Sequence, residues 1–192
     1  MGLMAKDFLM YRLLAALICL LAISPAQATE AGWALLREGG QTVLIRHAVA
    51  PGSSDSRGFS LEDCSTQRNL SDRGKQQAEK IGALLAARAA RTERVLSSRF
   101  CRCLETARLA FDDDRVEPYG PLDLLAADPA EAKAASDAVL QEIRDFSGAG
   151  NFFFVTHLEN IMALTGVSPR EGEAIVVAPD GDGLRVLGRI VF

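Results

Sequence analysis

The chain has 192 residues, 48% of them hydrophobic, with a formal net charge of −4. That length accommodates one globular domain, and the mildly acidic balance offers no basic stripe, which argues against nucleic acid as a partner. Only two histidines are present, too few for a three-histidine zinc site.

Lys6 and Arg12 precede an apolar stretch at 13–23, and Pro25-Ala26-Gln27-Ala28 follows. A charged start, a short apolar core and an A-x-A site predict a signal peptide over 1–28 and a mature domain over 29–192. The apolar stretch is short for a membrane span. The expectation is a periplasmic or secreted protein with no stable membrane anchor after cleavage, in an oxidising compartment.

In chain order, residues 31–37 predict a short helix ended by Gly39-Gly40, and 42–46 a first strand that stops at Arg46-His47. A loop rich in Gly, Ser and Asp covers 51–64, longer than a mere connection. Ser71 is a natural N-cap for a helix whose apolar face is Leu70, Gly74, Ala78, Ile81 and Leu85. A second strand, 94–97, runs into Ser98 and a helix from about 102 to 111. Placed at that junction, Ser97 and Ser98 would aim hydroxyls at a bound anion. Asp112-Asp113-Asp114 reads as a solvated turn rather than a metal site, and 116–118 as a short edge strand ending in Pro118. A helix over 130–146 precedes Phe152-Phe153-Phe154-Val155-Thr156-His157, the most apolar strand and hence the central one. Two strand-like runs, 173–178 and 184–192, flank a Pro-Asp-Gly-Asp-Gly turn. The alternation predicts an α/β fold: a three-layer sandwich with a mostly parallel central sheet, helices on both faces and a C-terminal β-hairpin.

Two imidazoles and two guanidiniums (Arg46, His47, Arg102 and His157) thus gather at strand ends, where open α/β sheets place their chemistry. Arginines there suit a phosphoryl group, because each presents a planar fork of donors and keeps its charge.

The ordered set Arg46-His47-Ala48, then Ser97-Ser98-Arg99-Phe100-Cys101-Arg102 with Glu105-Thr106-Ala107, then Val155-Thr156-His157 resembles the histidine phosphatase superfamily, in its phosphoglycerate-mutase-like branch. Small exported members include lipopolysaccharide-core heptose phosphate phosphatases. Two departures stand out: Ala48 replaces the usual glycine, and Arg99 replaces a common proline, leaving a charge at the pocket mouth. The resemblance implies a metal-independent histidine acid phosphatase-type hydrolase with no cofactor. In it His47 is the nucleophile, His157 donates to the transferring group, and Arg46 and Arg102 clamp the phosphate. It also implies a general acid, for which Asp123 is the first candidate and Glu159 the second; Asp128 and Glu131 are weaker. Arg68 and Asn69 are expected to touch substrate or support the pocket, and Glu105 to orient an arginine of the site.

Cys64 and Cys101 either form a disulfide that clamps two pocket segments together or remain buried free thiols. A mutase fits less well, since 112–129 is short for a segment covering a substrate. The expected partner is a small phosphorylated molecule or a phosphorylated envelope glycan. The alternative is a non-catalytic phospho-ligand binding domain of the same fold.

Overall fold

The structure is a computed structural model that describes residues 25–192. The first 24 residues of the expected signal peptide lie outside the described residues.

Among the described residues five α-helices and six strands follow one another: α1 (Pro25–Glu38), β1 (Thr42–Arg46), α2 (Asp72–Ala87), β2 (Thr92–Ser97), α3 (Cys101–Ala110), β3 (Val116–Pro118), α4 (Pro129–Asp145), β4 (Asn151–Thr156), α5 (Leu158–Thr165), β5 (Ala174–Asp180) and β6 (Gly183–Ile190). They form one sheet in the order β3-β2-β4-β1-β5-β6. The pairs β1·β4, β2·β4 and β2·β3 are parallel, whereas β5 and β6 run antiparallel. The expected mostly parallel sheet with a terminal hairpin is what forms, and β4 is central.

Strand periodicity sorts the core into two layers. Val43, Ile45, Phe153 and Val155 face Trp33 and Leu36 of α1, Ile81 and Leu85 of α2, and Phe111. Leu44, Phe152 and Phe154 face Val139 and Ile143 of α4, Ile161 of α5 and Leu122. Four consecutive phenylalanine and valine positions of β4 are completely buried because helices cover both faces of the sheet. Ser71 caps α2 through its side chain, which accepts from the Gly74 N–H, and Leu70, Gly74, Ala78, Ile81 and Leu85 are all buried as their spacing requires. Gly74 has a packing reason of its own, since a Cβ there would meet the Val49 carbonyl oxygen.

Two elements differ from the sequence expectation. The N-terminal helix covers Pro25–Glu38, so it includes the expected cleavage site after Ala28. Helix α5 directly after His157 has no counterpart among the predicted elements; its eight residues are too few to show a clear period.

Candidate active site

The carboxyl ends of β1, β2 and β4 lie side by side, in register Ile45↔Val155 and Ser97↔Val155, so the residues just past them converge. Arg46, His47, Arg68, Arg102, His157 and Glu159 line one cavity of about 440 Å3, which residues 53–59 also line. Arg102 is 1% exposed, His47 2% and His157 1%. A buried guanidinium and two buried imidazoles are costly to keep without partners, so their hydrogen bonds define the site.

The ring of His47 is fixed from one side. Its Nδ1 lies 2.8 Å from the Ala48 carbonyl, which can only accept, so Nδ1 carries the proton and Nε2 keeps its lone pair. Burial is the main reason its pKa falls to about 3; the Ala48 carbonyl opposes the fall, and Arg102, Arg68 and Arg46 reinforce it. Ala48 itself is fully buried, and its N–H donates to Thr106 Oγ1, whose hydroxyl in turn donates to the Arg102 carbonyl. Among the described residues the only non-glycine at positive φ is Ala89, so the backbone at Ala48 does not demand glycine.

His157 is held at both nitrogens. Arg102 Nη2 is 3.2 Å from Nδ1 and can only donate, so Nδ1 accepts and the proton of the neutral ring sits on Nε2. That Nε2–H donates to Ser98 Oγ at 2.9 Å, and the Ser98 hydroxyl donates to Asp123 Oδ1 at 3.0 Å. Burial first, then Arg102, hold His157 well below the ordinary imidazole pKa. In this arrangement His157 has no spare proton for a bound group, unlike its expected role as a donor. The serine hydroxyls likewise do not point free into the pocket: Ser97 Oγ donates to the Ser98 carbonyl, and Ser98 Oγ is the link between His157 and Asp123.

Three arginines form the cationic wall. Arg46 donates to the Pro169 carbonyl, and Arg68 donates to the Ala50 carbonyl and to Glu171 Oε1 at 3.0 Å. Arg102 Nη1 reaches both oxygens of Asp55, at 2.9 and 3.2 Å. The Nε atoms of Arg46 and Arg102 are buried donors without an acceptor in the protein. Asp55 and Glu171 were not among the expected site residues; both sit in irregular segments and act through distant partners.

The two candidate acids are placed differently. Glu159 lines the cavity from the first turn of α5. Asp123 stands one hydrogen bond behind it, where its carboxylate accepts from Ser98, from the Arg99 N–H and from the Arg99 guanidinium. The charge of Arg99 is therefore paired, not stray. Asp128 caps α4, and Glu131 lies in that helix's first turn.

One expectation is corrected. Glu105 pairs with Lys75 at 3.0 Å on the outer side of α3 and orients no arginine. The buried face of that helix is Arg102, Cys103, Thr106 and Ala107, and a residue at 105 falls off it. Asn69 donates to the Cys64 and Gln67 carbonyls and so braces the turn before α2 without lining the cavity.

Cys64 and Cys101 are joined by a disulfide. The neighbouring Gln67 strengthens the same joint: its Oε1 accepts from the Cys101 N–H at the start of α3, and its Nε2 donates to the Ser60 carbonyl. The turn carrying Arg68 is thus fastened to the helix carrying Arg102. Cys103 is a buried free thiol whose pKa burial pushes up to about 12, too high for a nucleophile at neutral pH. No group of three or more His, Cys, Asp or Glu is clustered to hold a metal ion among the described residues.

Comparison with known proteins accords with this geometry. Structurally the chain is similar to the protein histidine phosphatase SixA complexed with tungstate, at 20% identity and a TM-score of 0.54, covering 78% of this chain and 96% of that one. It is similar to the alpha-ribazole phosphatase of Shigella flexneri, at 18% identity and a TM-score of 0.55, covering 77% and 96%. It is also similar to the phosphoglycerate mutase of Thermus thermophilus, at 19% identity and a TM-score of 0.52, covering 79% and 99%. At these identities the likeness establishes the fold. No curated protein matches the chain. The model of the histidine phosphatase superfamily, branch 1, matches residues 42–125, the segment that carries Arg46, His47, Arg68 and Arg102. Over that segment the chain is similar to the histidine phosphatase superfamily, branch 1, and His157 closes the same cavity from β4.

Proposed function

We propose that the protein is a phosphomonoester hydrolase that works through a phosphohistidine on His47. The observation that carries this reading is the fixed His47 ring: Nδ1 is tied to the Ala48 carbonyl, and Nε2 is left with its lone pair beside three arginines. A neutral imidazole attacks well, and the arginines offset the dianion's charge, which otherwise repels the nucleophile. Nε2 forms the N–P bond as the ester P–O bond breaks, and the leaving oxygen takes a proton. Water then attacks phosphorus, the N–P bond breaks, and inorganic phosphate leaves with His47 restored. Arg46, Arg68 and Arg102 supply the charge stabilisation, so the reading is of a reaction that needs no metal.

The position of the candidate acids supports a preference among substrates. Asp123 is already held by Ser98 and Arg99, and Glu159 is at the exposed rim. Leaving groups that need little protonation, such as aryl or acyl phosphates or phosphohistidine, fit this site better than alkyl phosphates. The Cys64–Cys101 bridge supports export, since such bonds persist in oxidising compartments. In this reading residues 1–28 are removed, and the domain over 29–192 acts in the periplasm or outside the cell on a phosphorylated small molecule or envelope glycan.

The test is hydrolysis of p-nitrophenyl phosphate by the purified protein before and after exhaustive EDTA treatment, with acid-quenched labelled substrate to trap the intermediate. Label on His47 and an EDTA-insensitive rate are expected. Tight phosphate binding with no turnover would favour the non-catalytic binding domain instead.

A further inference from the structure

Between Pro51 and Phe59 every residue is exposed except Asp55. The loop has no regular secondary structure there, yet it sends this one carboxylate into the cavity. The Asp55 side chain is 6% exposed and its partner Arg102 2%. Its Oδ1 also accepts from the Arg68 backbone N–H at 2.8 Å.

The edge of Arg102 that Asp55 occupies is informative. A guanidinium grips an oxyanion with two adjacent N–H groups. Arg102 brings its Nη1–Nη2 edge into the cavity, since Nη2 meets His157 and Nη1 meets Asp55 and both partners line it. Asp55 takes Nη1 on that same edge, with both its oxygens in reach. A carboxylate that served only to brace the arginine would suit the Nε side, yet that Nε is the donor left without a partner. Asp55 therefore stands where a phosphoryl oxygen would be gripped.

The loop is built to release it. Gly52 and Gly58 flank Asp55 at equal distance in sequence, with φ of +92° and +71°. A Cβ on Gly58 would meet nothing, and one on Gly52 would meet only the Arg68 side chain at 3.8 Å. Glycine at these places serves backbone conformation rather than close packing. Beyond Asp55 the loop's other hold is Phe59, whose ring sits 5.2 Å from that of Phe100.

We infer that Asp55 is a specificity-determining residue: an internal anion that occupies the phosphate clamp, so that binding is an exchange of Asp55 for the phosphoryl group as the 52–58 loop swings out. This deepens the phosphatase reading and rests on it. The exchange sets a charge threshold. Within the clamp's own ion pairs Arg46, Arg68 and Arg102 meet two carboxylates, Asp55 and Glu171, leaving one net positive charge, while Glu159 and the loop's Arg57, which also line the cavity, carry opposite charges. With Asp55 withdrawn the net becomes two, which a dianionic monoester neutralises. A monoanion such as a phosphodiester or a carboxylate only replaces like with like.

The experiment measures binding of inorganic phosphate and of dimethyl phosphate to the wild-type protein and to Asp55→Asn. The amide keeps the size of the side chain and an oxygen for the Arg68 N–H but removes the charge. Phosphate should bind about tenfold to a hundredfold tighter to the variant, the range expected for losing one charge-assisted competitor. Dimethyl phosphate, without measurable affinity for the wild type, should begin to bind. Equal or weaker phosphate binding by Asp55→Asn would overturn the inference and make Asp55 a brace for Arg102. Hydrogen exchange on the wild type decides the matter even if the variant fails to fold: phosphate should speed exchange at the Arg68 amide, which donates to Asp55, and protection there would overturn the exchange. If neither protein binds phosphate or vanadate, the clamp itself is refuted, and this inference with it.

Discussion

Arg99 holds Asp123 twice, by its backbone N–H at 2.7 Å and by its guanidinium at 2.6 Å. Through Ser98 the same carboxylate fixes the proton of His157, so Arg99 sits at the end of a chain that runs Arg99–Asp123–Ser98–His157–Arg102. A residue that replaces a proline common in the family has acquired a structural partner at the mouth of the site.

This chain makes a sharp kinetic prediction. Asp123→Asn should slow p-nitrophenyl phosphate and alkyl phosphates by similar factors, because what it loses is the orientation of His157. A general acid would behave otherwise, costing about 10²–10⁴-fold with the poor leaving group only. Measuring kcat/KM for both esters separates the two, and a selective loss on the alkyl ester would mean that Asp123 leaves Arg99 to donate a proton. Glu159→Gln, run in parallel, tests the carboxylate at the rim.

His47→Ala should abolish turnover while vanadate binding largely survives. The nucleophile is one residue, but the clamp is spread over Arg46, Arg68 and Arg102. Isothermal titration with vanadate and a p-nitrophenyl phosphate assay are sufficient. Wild-type turnover without His47 would eliminate the phosphohistidine mechanism.

With only two histidines in the chain, their titration can be followed by NMR without assignment difficulty. Both rings should remain neutral at pH 5, His47 as the Nδ1–H tautomer and His157 as the Nε2–H tautomer. The consequence for stability has a definite sign. The folded pKa of His47 is about 3 and that of His157 is also lowered, whereas in the unfolded chain both titrate near the usual imidazole value of about 6.5. The unfolded state thus takes up protons that the native state refuses. Stability contributed by the neutral rings is complete above pH 6.5 and falls as pH drops from there, for His47 down to about pH 3, with a slope of up to about 1.4 kcal/mol per pH unit for each ring. Denaturant melts at pH 7 and pH 5 check it; a ring that titrates near 6.5 in the folded protein would contradict it.

What the sequence revealed of this site, and what it hid, follows from where the residues lie. Arg46, His47 and His157 were legible because each ends an apolar strand, and a parallel sheet delivers such residues to one edge. Arg102 was legible from the strand-to-helix junction, and Arg68 from the resemblance. Asp55 and Glu171 were not: each sits in a loop with no period, and its partners lie far along the chain, Arg102 for Asp55 and Arg68 for Glu171. Glu105 was misplaced for a different reason. It is close in sequence to Arg102, but helical phase turns it outward to Lys75, and the buried set Arg102, Cys103, Thr106 and Ala107 contains that phase. The sheet order could be anticipated only as far as β4 being central, since which strands flank it depends on contacts between residues far apart.

The disulfide offers a test of how much the pocket depends on its frame. Cys64 and Cys101 are separated by 37 positions, and closing a loop of that size in the unfolded chain corresponds to about 4 kcal/mol in the chain-entropy model, with measured losses commonly about 2–5 kcal/mol. A Cys64→Ser, Cys101→Ser double variant should therefore lose roughly 2–4 kcal/mol in denaturant melts. The effect on function should fall on KM more than on kcat. The bridge and Gln67 fasten the turn that carries Arg68 to the helix that carries Arg102, so loosening it spreads the arginines without touching His47. Gln67→Ala alone, which removes the hydrogen bond to the Cys101 N–H, should shift KM in the same direction by less. A double variant with unchanged KM and a large fall in kcat would show that the bridge supports the nucleophile rather than the clamp.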